Sequence, residues 1–423
     1  MRAKRIDWLA ILVALTAVAP SSRSFAQYCA YVGSDNTRYM SVIDTASRTV
    51  TAAIPLPGTG HTVAITPNGR TAYVANDQNI FVIDTSSGTL TRTLFFGGDV
   101  AASPDGQHLY VVSPQGTLSQ ITTATNEVTA VVPYPIGRFD QSFHALSFSP
   151  MGDLVYALVN ALPAHPPHPP ADVAVVNAKS NLIVYTVALP RTSGFDVSTT
   201  AIAVNPSGAD AYVTDFYSTD VSIIDTAAYG LSGNVVSLPG NDIDDVVFTP
   251  NGQRAYMIDD AHTVYAVDTA RRSVLATITL GEGDQTDGGH MAVTPDGDFV
   301  YATGFVAGAV FVIDTSTNTL ATTIQLEKGL EGIAIATLPK GCVGPPPPPT
   351  STPTPTATPT PGTCVGDCDG SGDVQINEII TCVNIALGSE PLSTCTACDE
   401  NGDGQVEINE IITAVKNALN GCP

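Results

Sequence analysis

The chain is long enough for more than one domain and is strongly acidic. Its 423 residues, 43% of them hydrophobic, can bury at least one large core and leave room for a second domain. Asp and Glu outnumber Lys and Arg by 40 to 17, which gives a net charge of -23. Because like charges repel, this balance argues against nucleic acid and anionic membranes as partners and favours cations.

The first 26 residues predict a secretory signal peptide. A basic stretch at residues 2–5 precedes an apolar run from Trp8 to Ala19, and Ser24-Phe25-Ala26 predicts cleavage before Gln27. The run is shorter than the ~20 residues of a membrane span and no later segment qualifies, so we expect no span in the mature chain. An uncleaved anchor is the alternative. A secreted or cell-surface location would allow the eight cysteines to form disulfides.

Residues 27–343 contain one repeat unit seven times. Each copy has a strand led by Tyr, a second strand that in most copies ends in Asp-Thr, a third strand, and a fourth strand that runs into a Pro-x-Gly turn. The leading tyrosines are Tyr31, Tyr73, Tyr110, Tyr156, Tyr212, Tyr256 and Tyr301. Apolar residues alternate with period two before the turns, which predicts an all-β, seven-bladed β-propeller.

Both ends of the repeat region are predicted to close the ring. The region starts on a second strand and ends on an inner strand near residues 332–337, which needs the N-terminal strands to complete its blade. Cys29 and Cys342 flank this junction. We predict a Cys29–Cys342 disulfide that latches the ring and contributes ~4 kcal/mol or more in the chain-entropy model. Pairing with the C-terminal cysteines is the alternative.

Two segments, Tyr73-Val74-Ala75-Asn76 and Tyr212-Val213-Thr214-Asp215, together with the Ile-Asp-Thr strand endings, resemble the YVTN family of β-propeller repeats. The resemblance covers about residues 28–343 and implies the propeller fold. Related propellers occur in surface-layer proteins, lactonase-like enzymes and redox proteins, so the resemblance implies no particular reaction.

Just before the inner strand, at corresponding positions within about one residue, every repeat carries a polar residue. These residues are His61, Asp99, His144, Thr200, Asp244, His290 and Glu331. We expect them at one mouth of the central channel, where imidazoles and carboxylates could bind zinc or copper, or position water for hydrolysis. The candidate catalytic residues are His61, His144, His290 and Glu331, and a ligand at this channel is one expected partner. The alternative is that these side chains only hydrogen-bond to neighbouring blades.

Residues 344–362 predict a stiff linker. They are almost entirely Pro and Thr, which favours an extended polyproline II spacer. At ~3.1 Å per residue such a segment reaches on the order of 60 Å. The propeller and the C-terminal domain, residues 363–423, are therefore expected to move independently.

The C-terminal domain contains two copies of a twelve-residue EF-hand loop pattern. Each copy has oxygen side chains at positions 1, 3 and 5, Gly at position 6 and Glu at position 12, with a backbone carbonyl at 7 and a water-mediated ligand at 9. The first loop offers Asp367, Asp369, Ser371, Asp373, Gln375 and Glu378. The second loop offers Asp399, Asn401, Asp403, Gln405, Glu407 and Glu410. Two calcium ions are the expected cofactors.

Each loop continues into a helix with an apolar stripe, and we expect the two stripes to pack together. The stripe residues are Ile379, Ile380, Val383 and Leu387 in one helix and Ile411, Ile412, Val415 and Leu419 in the other. Six cysteines should pair among themselves and support this small core. They are Cys364, Cys368, Cys382, Cys395, Cys398 and Cys422.

The duplicated loop and helix resemble the dockerin type I module over about residues 364–422. The resemblance implies calcium binding and docking to an extracellular protein, either cohesin-like or at the cell surface. This sequence departs from the pattern in two ways. Glu378 and Glu410 stand where aspartate usually closes the loop, and the cysteines do not belong to the ordinary dockerin pattern.

The leading functional hypothesis is a secreted, calcium-binding propeller without enzymatic activity. The propeller would act as an extracellular binding or scaffold protein, and the dockerin-like module would mediate calcium-dependent docking. One alternative is a propeller enzyme, a lactonase-like hydrolase or a metal-assisted redox enzyme, that the tail tethers. A second alternative is a structural surface-layer component.

Overall fold

A computed structural model describes most of the chain. The described residues are 27–113, 117–133, 141–161, 171–190, 199–215, 218–239, 242–281, 289–338, 341–345, 364–369, 371–400 and 404–422. The predicted signal segment, 1–26, and most of the linker, 346–362, lie outside them. The chain divides into two compact units, Met1–Pro347 and Pro348–Pro423.

The first unit contains seven antiparallel sheets of four strands, which we number as blades 1 to 7. Blade 1 contains β1 (Tyr28–Ser34), β2 (Tyr39–Asp44) and β3 (Thr49–Pro55). Blade 2 contains β4 (Thr62–Ile65), β5 (Thr71–Ala75), β6 (Ile80–Asp84) and β7 (Thr89–Leu94). Blade 3 contains β8 (Asp99–Ala102), β9 (His108–Val112), β10 (Leu118–Thr122) and β11 (Glu127–Val131). Blade 4 contains β12 (Gln141–Phe148), β13 (Leu154–Ala161), β14 (Asp172–Asn177) and β15 (Leu182–Ala188).

The remaining blades follow the same order from the inner to the outer strand. Blade 5 contains β16 (Thr199–Val204), β17 (Asp210–Asp215), β18 (Asp220–Asp225) and β19 (Gly230–Ser237). Blade 6 contains β20 (Ile243–Phe248), β21 (Arg254–Asp259), β22 (Thr263–Asp268) and β23 (Ser273–Thr279). Blade 7 contains β24 (Met291–Val293), β25 (Phe299–Gly304), β26 (Ala309–Asp314) and β27 (Thr319–Gln325). The inner strand of blade 1 is β28 (Leu330–Thr337), from the C-terminal end of the propeller.

The ring is closed by strands from both ends of the repeat region. β28 pairs antiparallel with β1, so blade 1 has the order β28-β1-β2-β3. β28 also contacts β4 of blade 2 and β24 of blade 7. The structure therefore confirms the predicted seven-bladed propeller and its shared closing blade.

A disulfide joins the two chain ends at this closure. Cys29 is fully buried in β1 and is bonded to Cys342, 313 residues later, which is the predicted pairing. The chain then runs beside the outer strand of blade 1, where the Ala53 amide donates to the Pro345 carbonyl at 2.9 Å. The segment that leads into the linker is thus held against blade 1.

The leading tyrosines form the centre of the core in every blade. All seven are at most 1% exposed. Three of them donate hydrogen bonds to an asparagine in a turn of the next blade: Tyr73 to Asn126 at 3.0 Å, Tyr110 to Asn181 at 2.6 Å and Tyr256 to Asn318 at 2.7 Å. These asparagines have positive φ, a conformation that Asn tolerates better than most residues. Three of the seven contacts between neighbouring blades therefore include a tyrosine-to-asparagine hydrogen bond.

The other four leading tyrosines face a turn without asparagine: the equivalent positions are Gly88 for Tyr31, Tyr229 for Tyr156, Arg272 for Tyr212 and Arg48 for Tyr301. Gly88 occupies the turn position beside blade 1. A Cβ there would lie 2.4 Å from Cα of Gly344, so this turn position needs glycine to make room for the segment that leaves the propeller. Arg272 occupies the turn position beside blade 5, with φ of 53°. The buried hydroxyls of Tyr31 and Tyr212 have no hydrogen-bond partner among the described residues.

Replacing Arg272 with asparagine should stabilise the propeller. Arg272→Asn suits the left-handed turn and gives the Tyr212 hydroxyl an acceptor, for a gain of about 1 kcal/mol. The change gives up a contact with Asp210 at 3.5 Å and a hydrogen bond to Ser232 at 3.1 Å, which at a partly exposed site contribute little. Chemical denaturation measures the gain. In a Tyr212→Phe background the same substitution should give a smaller gain, and an equal gain in both backgrounds would contradict the role of the hydroxyl.

The second unit contains two helices, α1 (Ile376–Ala386) and α2 (Ile408–Asn420), and two 3₁₀ turns, Leu392–Thr394 and Thr396–Cys398. Its six cysteines pair among themselves as Cys364–Cys422, Cys368–Cys395 and Cys382–Cys398. The core of this unit consists of Cys382, Ile385, Cys395, Cys398 and Val406.

The expected packing of the two apolar stripes is wrong in part. Ile380 is 54% exposed and Leu387 is 74% exposed, and their counterparts Ile412 and Leu419 are 49% and 78% exposed. The helices contact each other, but the disulfide sulfur atoms occupy the space at the centre of the core. Much of each stripe is therefore left on the surface.

Candidate functional site

The carboxylates of the first loop converge. Ligand oxygens of Asp367, Asp369 and Glu378 lie within 4.8 Å of one another. Calcium takes oxygen ligands at 2.3–2.6 Å from the ion, so oxygens that lie up to 4.8 Å from one another can bind the same ion. Gly372 at position 6 has φ of 86°, which permits the sharp turn. These residues fit a calcium ion in composition and spacing.

Hydrogen bonds hold the first loop in this shape. Asp367 accepts the backbone amides of Ser371 at 3.0 Å and Gly372 at 2.8 Å. Glu378 is only 4% exposed and accepts the amides of Cys368 at 2.8 Å and Gln375 at 2.7 Å. Because Gln375 is the residue before α1, the same glutamate also caps that helix. The loop and the helix start therefore share one buried carboxylate.

The second loop repeats this arrangement in its described part. Glu410 is 2% exposed and accepts the amides of Glu400 and Glu407, both at 2.8 Å. Asp399 accepts the Gly404 amide at 2.9 Å. Two predicted ligands, Asn401 and Asp403, lie outside the described residues.

Each helix presents an exposed apolar stripe that begins within the last three residues of its loop. Ile376, Ile380 and Leu387 are spaced by four and seven residues, so they share one helix face. Ile408, Ile412 and Leu419 repeat the spacing in α2. Ile376 and Ile408 are each 76% exposed. We call these six residues the paired stripes.

At the propeller channel, the inner strands bring the predicted polar residues to the same end of the ring. Each inner strand contacts the inner strands of its neighbouring blades. His61 Nε2 lies 2.7 Å from Asp35 Oδ1. This contact joins the residue before β4 of blade 2 to the residue after β1 of blade 1. Thr200 donates to the Ile243 carbonyl of the next blade, so its hydroxyl serves the contact between blades. The side chain of His144, in β12, lies outside what the structure describes.

His290 connects three consecutive blades. Its Nδ1 lies 3.9 Å from Asp245 in blade 6 and its Nε2 lies 3.6 Å from Glu331 in blade 1. Desolvation lowers the pKa of His290, but the nearby Glu331 carboxylate and the charges of Asp245 and Asp99 outweigh it and raise the pKa to about 9. His290 is therefore a cation at neutral pH, with a carboxylate beside each nitrogen.

The acids around His290 resist ionisation. Burial, followed by the charge of Asp260, raises the pKa of Asp244 to about 7. Oδ2 of Asp244 is buried without a hydrogen-bond partner among the described residues. Burial also raises the pKa of Asp245, although its carboxylate accepts the amides of Val246 and Met291. This mouth is thus acidic and partly protonated near neutral pH.

The predicted cluster of imidazoles does not converge in the described part of the channel. His61 and His290 each pair with carboxylates, and no three ligand atoms of the described propeller residues lie within 4.8 Å of one another. Sequence reasoning missed Asp35 and Asp245 as partners. Asp245 directly follows the predicted Asp244, and Asp35 follows the first strand, so their positions at strand ends were the available signal.

Protonated His290 should stabilise the ring below neutral pH. Its pKa in the folded protein is about 9, above the ordinary 6.5. The stabilisation is therefore fully present below pH 6.5 and is lost as the pH rises through about 9. We expect His290→Gln to lower Tm at acidic pH and to approach the parent at alkaline pH. Glu331→Gln should raise the pKa of His290 less and so narrow the pH range in which protonated His290 stabilises the ring. Parallel Tm profiles for the parent and His290→Gln would contradict the assignment.

Comparison with known proteins supports the fold and goes no further. No protein-family model matches the chain, and no curated protein matches it. Among solved structures, a chain of Kuenenia stuttgartiensis hydrazine synthase is similar, with a TM-score of 0.56 and 18% identity. The match covers 67% of this chain and 91% of that chain. At this identity the similarity shows a shared fold only.

The fold defines a seven-bladed β-propeller followed by a small disulfide-bonded region of two helices. In the described part of the chain, no helix has the length and apolar character needed to cross a membrane.

Proposed function

We propose that this protein is a secreted calcium-binding propeller that docks to an extracellular protein through its C-terminal module. In this proposal the propeller belongs with the YVTN repeats and the module with the dockerins. The observation that carries the proposal is the convergence of Asp367, Asp369 and Glu378 in a loop that leads directly into an exposed apolar stripe.

Bound calcium would supply positive charge to a very acidic module. The first loop would hold an ion through Asp367, Asp369, Ser371 and Glu378 and the backbone carbonyl of Asp373, and the second loop through the equivalent residues. The last three residues of each loop form the first turn of its helix, so the ion would fix the helix start and the first residue of the stripe. Calcium would thereby order the docking surface.

The paired stripes are the proposed docking surface. Exposed isoleucine and leucine side chains on two adjacent helices form the kind of apolar patch that marks protein interfaces. An apolar groove of about 600 Å³, lined by Val383, Leu387, Ile408 and Ile411 among others, lies between the end of α1 and the start of α2. A partner side chain could enter this groove.

Aspartate in the stripes should abolish docking without unfolding the module. Ile380→Asp/Ile412→Asp places charge at two exposed positions, so we expect the helices to persist and capture to be lost. The measurement uses the protein as bait for secreted and surface proteins of its source, with calcium or with chelator. Ser389→Asp/Ser393→Asp adds the same charge at exposed positions outside the stripes, the groove and both loops, and should retain capture. Capture that survives chelator, or the stripe variant, would refute the docking role.

A second candidate function is an enzyme at the channel mouth. The specific observation in its favour is the cationic His290 between Asp245 and Glu331, beside Asp244 with a pKa of about 7. Such shifts are frequent at active sites. Turnover of lactones that is lost in His290→Gln and His61→Gln would support this candidate.

A further inference from the structure

Two of the disulfides are attached at the calcium loops, one within the first loop and one at the residue before the second loop. Cys368 is the second residue of the first loop, between Asp367 and Asp369, and is bonded to Cys395. Cys398 immediately precedes Asp399, the first residue of the second loop, and is bonded to Cys382 in α1. Each loop thus has a covalent cross-link one residue from a proposed calcium ligand.

These two disulfides form a single buried cluster. Their four sulfur atoms lie within 4.8 Å of one another. Cys382, Cys395 and Cys398 are at most 3% exposed. Cys395 precedes the 3₁₀ turn Thr396–Cys398, and Cys398 ends it. The segment before the second loop is therefore bonded to the first loop through Cys395 and to α1 through Cys398.

Hydrogen bonds tie the same parts together. The Gly366 amide donates to the Ala397 carbonyl at 2.9 Å, so the residue before Asp367 is held to the turn between Cys395 and Cys398. The Cys368 amide donates to Glu378, the residue that closes the first loop. The cross-linked cysteine therefore also contacts a ligand carboxylate through its backbone.

We propose that the Cys368–Cys395 and Cys382–Cys398 disulfides position the calcium ligands, so that the oxidation state of the module sets its calcium affinity. This inference rests on the calcium binding proposed above. The cross-links exclude conformations in which the ligands diverge, so less freedom is lost when calcium binds. Groups that orient metal ligands change metal affinity by roughly 10–100-fold. A dithiol would reduce each disulfide to two thiols by supplying two electrons and two protons, and would itself become a disulfide.

The third disulfide provides a matched control. Cys364–Cys422 joins the two ends of the module and has no cysteine adjacent to a proposed ligand. Its removal also costs one cross-link, but it leaves both loops attached to the sulfur cluster. We therefore expect Cys364→Ala/Cys422→Ala to change calcium affinity far less than the loop disulfide variants.

Calcium titration calorimetry of the full-length protein tests the inference loop by loop. In a Glu410→Gln background, which isolates the first loop, Cys368→Ala/Cys395→Ala should weaken calcium binding by roughly tenfold or more. In a Glu378→Gln background, Cys382→Ala/Cys398→Ala should weaken the second loop by a similar factor. Circular dichroism at saturating calcium verifies that the helices persist in each variant.

The outcomes separate this inference from the proposed function. Loop disulfide variants that bind calcium as tightly as their backgrounds would overturn the positioning role and leave calcium binding intact. A parent protein that binds no calcium would overturn both. If a variant does not fold, hydrogen exchange of the oxidised parent without calcium decides. Protected amides at Ser371 and Gly404 support preformed loops, and unprotected amides overturn the inference.

Discussion

Removing the Cys29–Cys342 disulfide should strongly lower the stability of the propeller. The bond closes a loop of 313 residues, and the chain-entropy model assigns such a loop about 5 kcal/mol. β28 is also the strand whose loss opens the ring, since it pairs with β1 and contacts β4 and β24. Calorimetry of Cys29→Ala/Cys342→Ala should show the propeller transition roughly 5–10 °C lower.

The corresponding change in the C-terminal module is the control for this experiment. Cys364→Ala/Cys422→Ala also removes one disulfide, but in the other compact unit, so the propeller transition should stay in place. A propeller transition that is the same in parent and Cys29→Ala/Cys342→Ala would mean that strand pairing alone closes the ring.

Glu378→Gln should remove one of the two proposed calcium ions, and Glu410→Gln the other. Each substitution takes a negative charge and a bidentate ligand from a loop that relies on both. Each glutamate is buried at the loop's closing position, so water cannot readily replace it. Calorimetric titration should give two calcium ions for the parent, one for each single variant and none for the double variant.

Glu390→Gln makes the same chemical change outside the loops. Glu390 accepts a hydrogen bond from Asn384 at 3.3 Å and is not part of either loop. Two ions should still bind to this variant with nearly parental affinity. If Glu390→Gln weakens binding as much as Glu378→Gln, general charge attraction, and not the loop geometry, holds the calcium.

Much of the propeller was predictable because its signals are local and repeated. Each copy carries the same period-two alternation, the same leading tyrosine and the same Pro-x-Gly turn, so seven weak signals agree. Every leading tyrosine is buried as a second strand requires. The break in the repeat also predicted that Cys29 and Cys342 lie close together, because a closed ring must join its ends. This prediction needed no knowledge of side-chain positions.

For the channel mouth, the sequence predicted which residues lie there but not which of them are in contact. The repeat places His61, His290 and Glu331 at strand starts, but it does not say which side chains meet. His290 reaches Asp245 and Glu331 in the two adjacent blades, at distances that depend on how the blades are rotated against each other. Where it is described, the expected cluster of imidazoles is instead a set of contacts between histidines and carboxylates of neighbouring blades.

In the C-terminal module, the sequence by itself determined the loops, and the tertiary structure decided the surface. Ligand spacing is local, so twelve residues suffice to predict the positions of Glu378 and Glu410. Helical period shows that Ile380 and Leu387 share a face, but not what covers that face. Cysteine spacing likewise leaves the pairing open, because it depends on folded distances. Only the structure shows that the disulfides fill the core and leave the apolar stripes exposed.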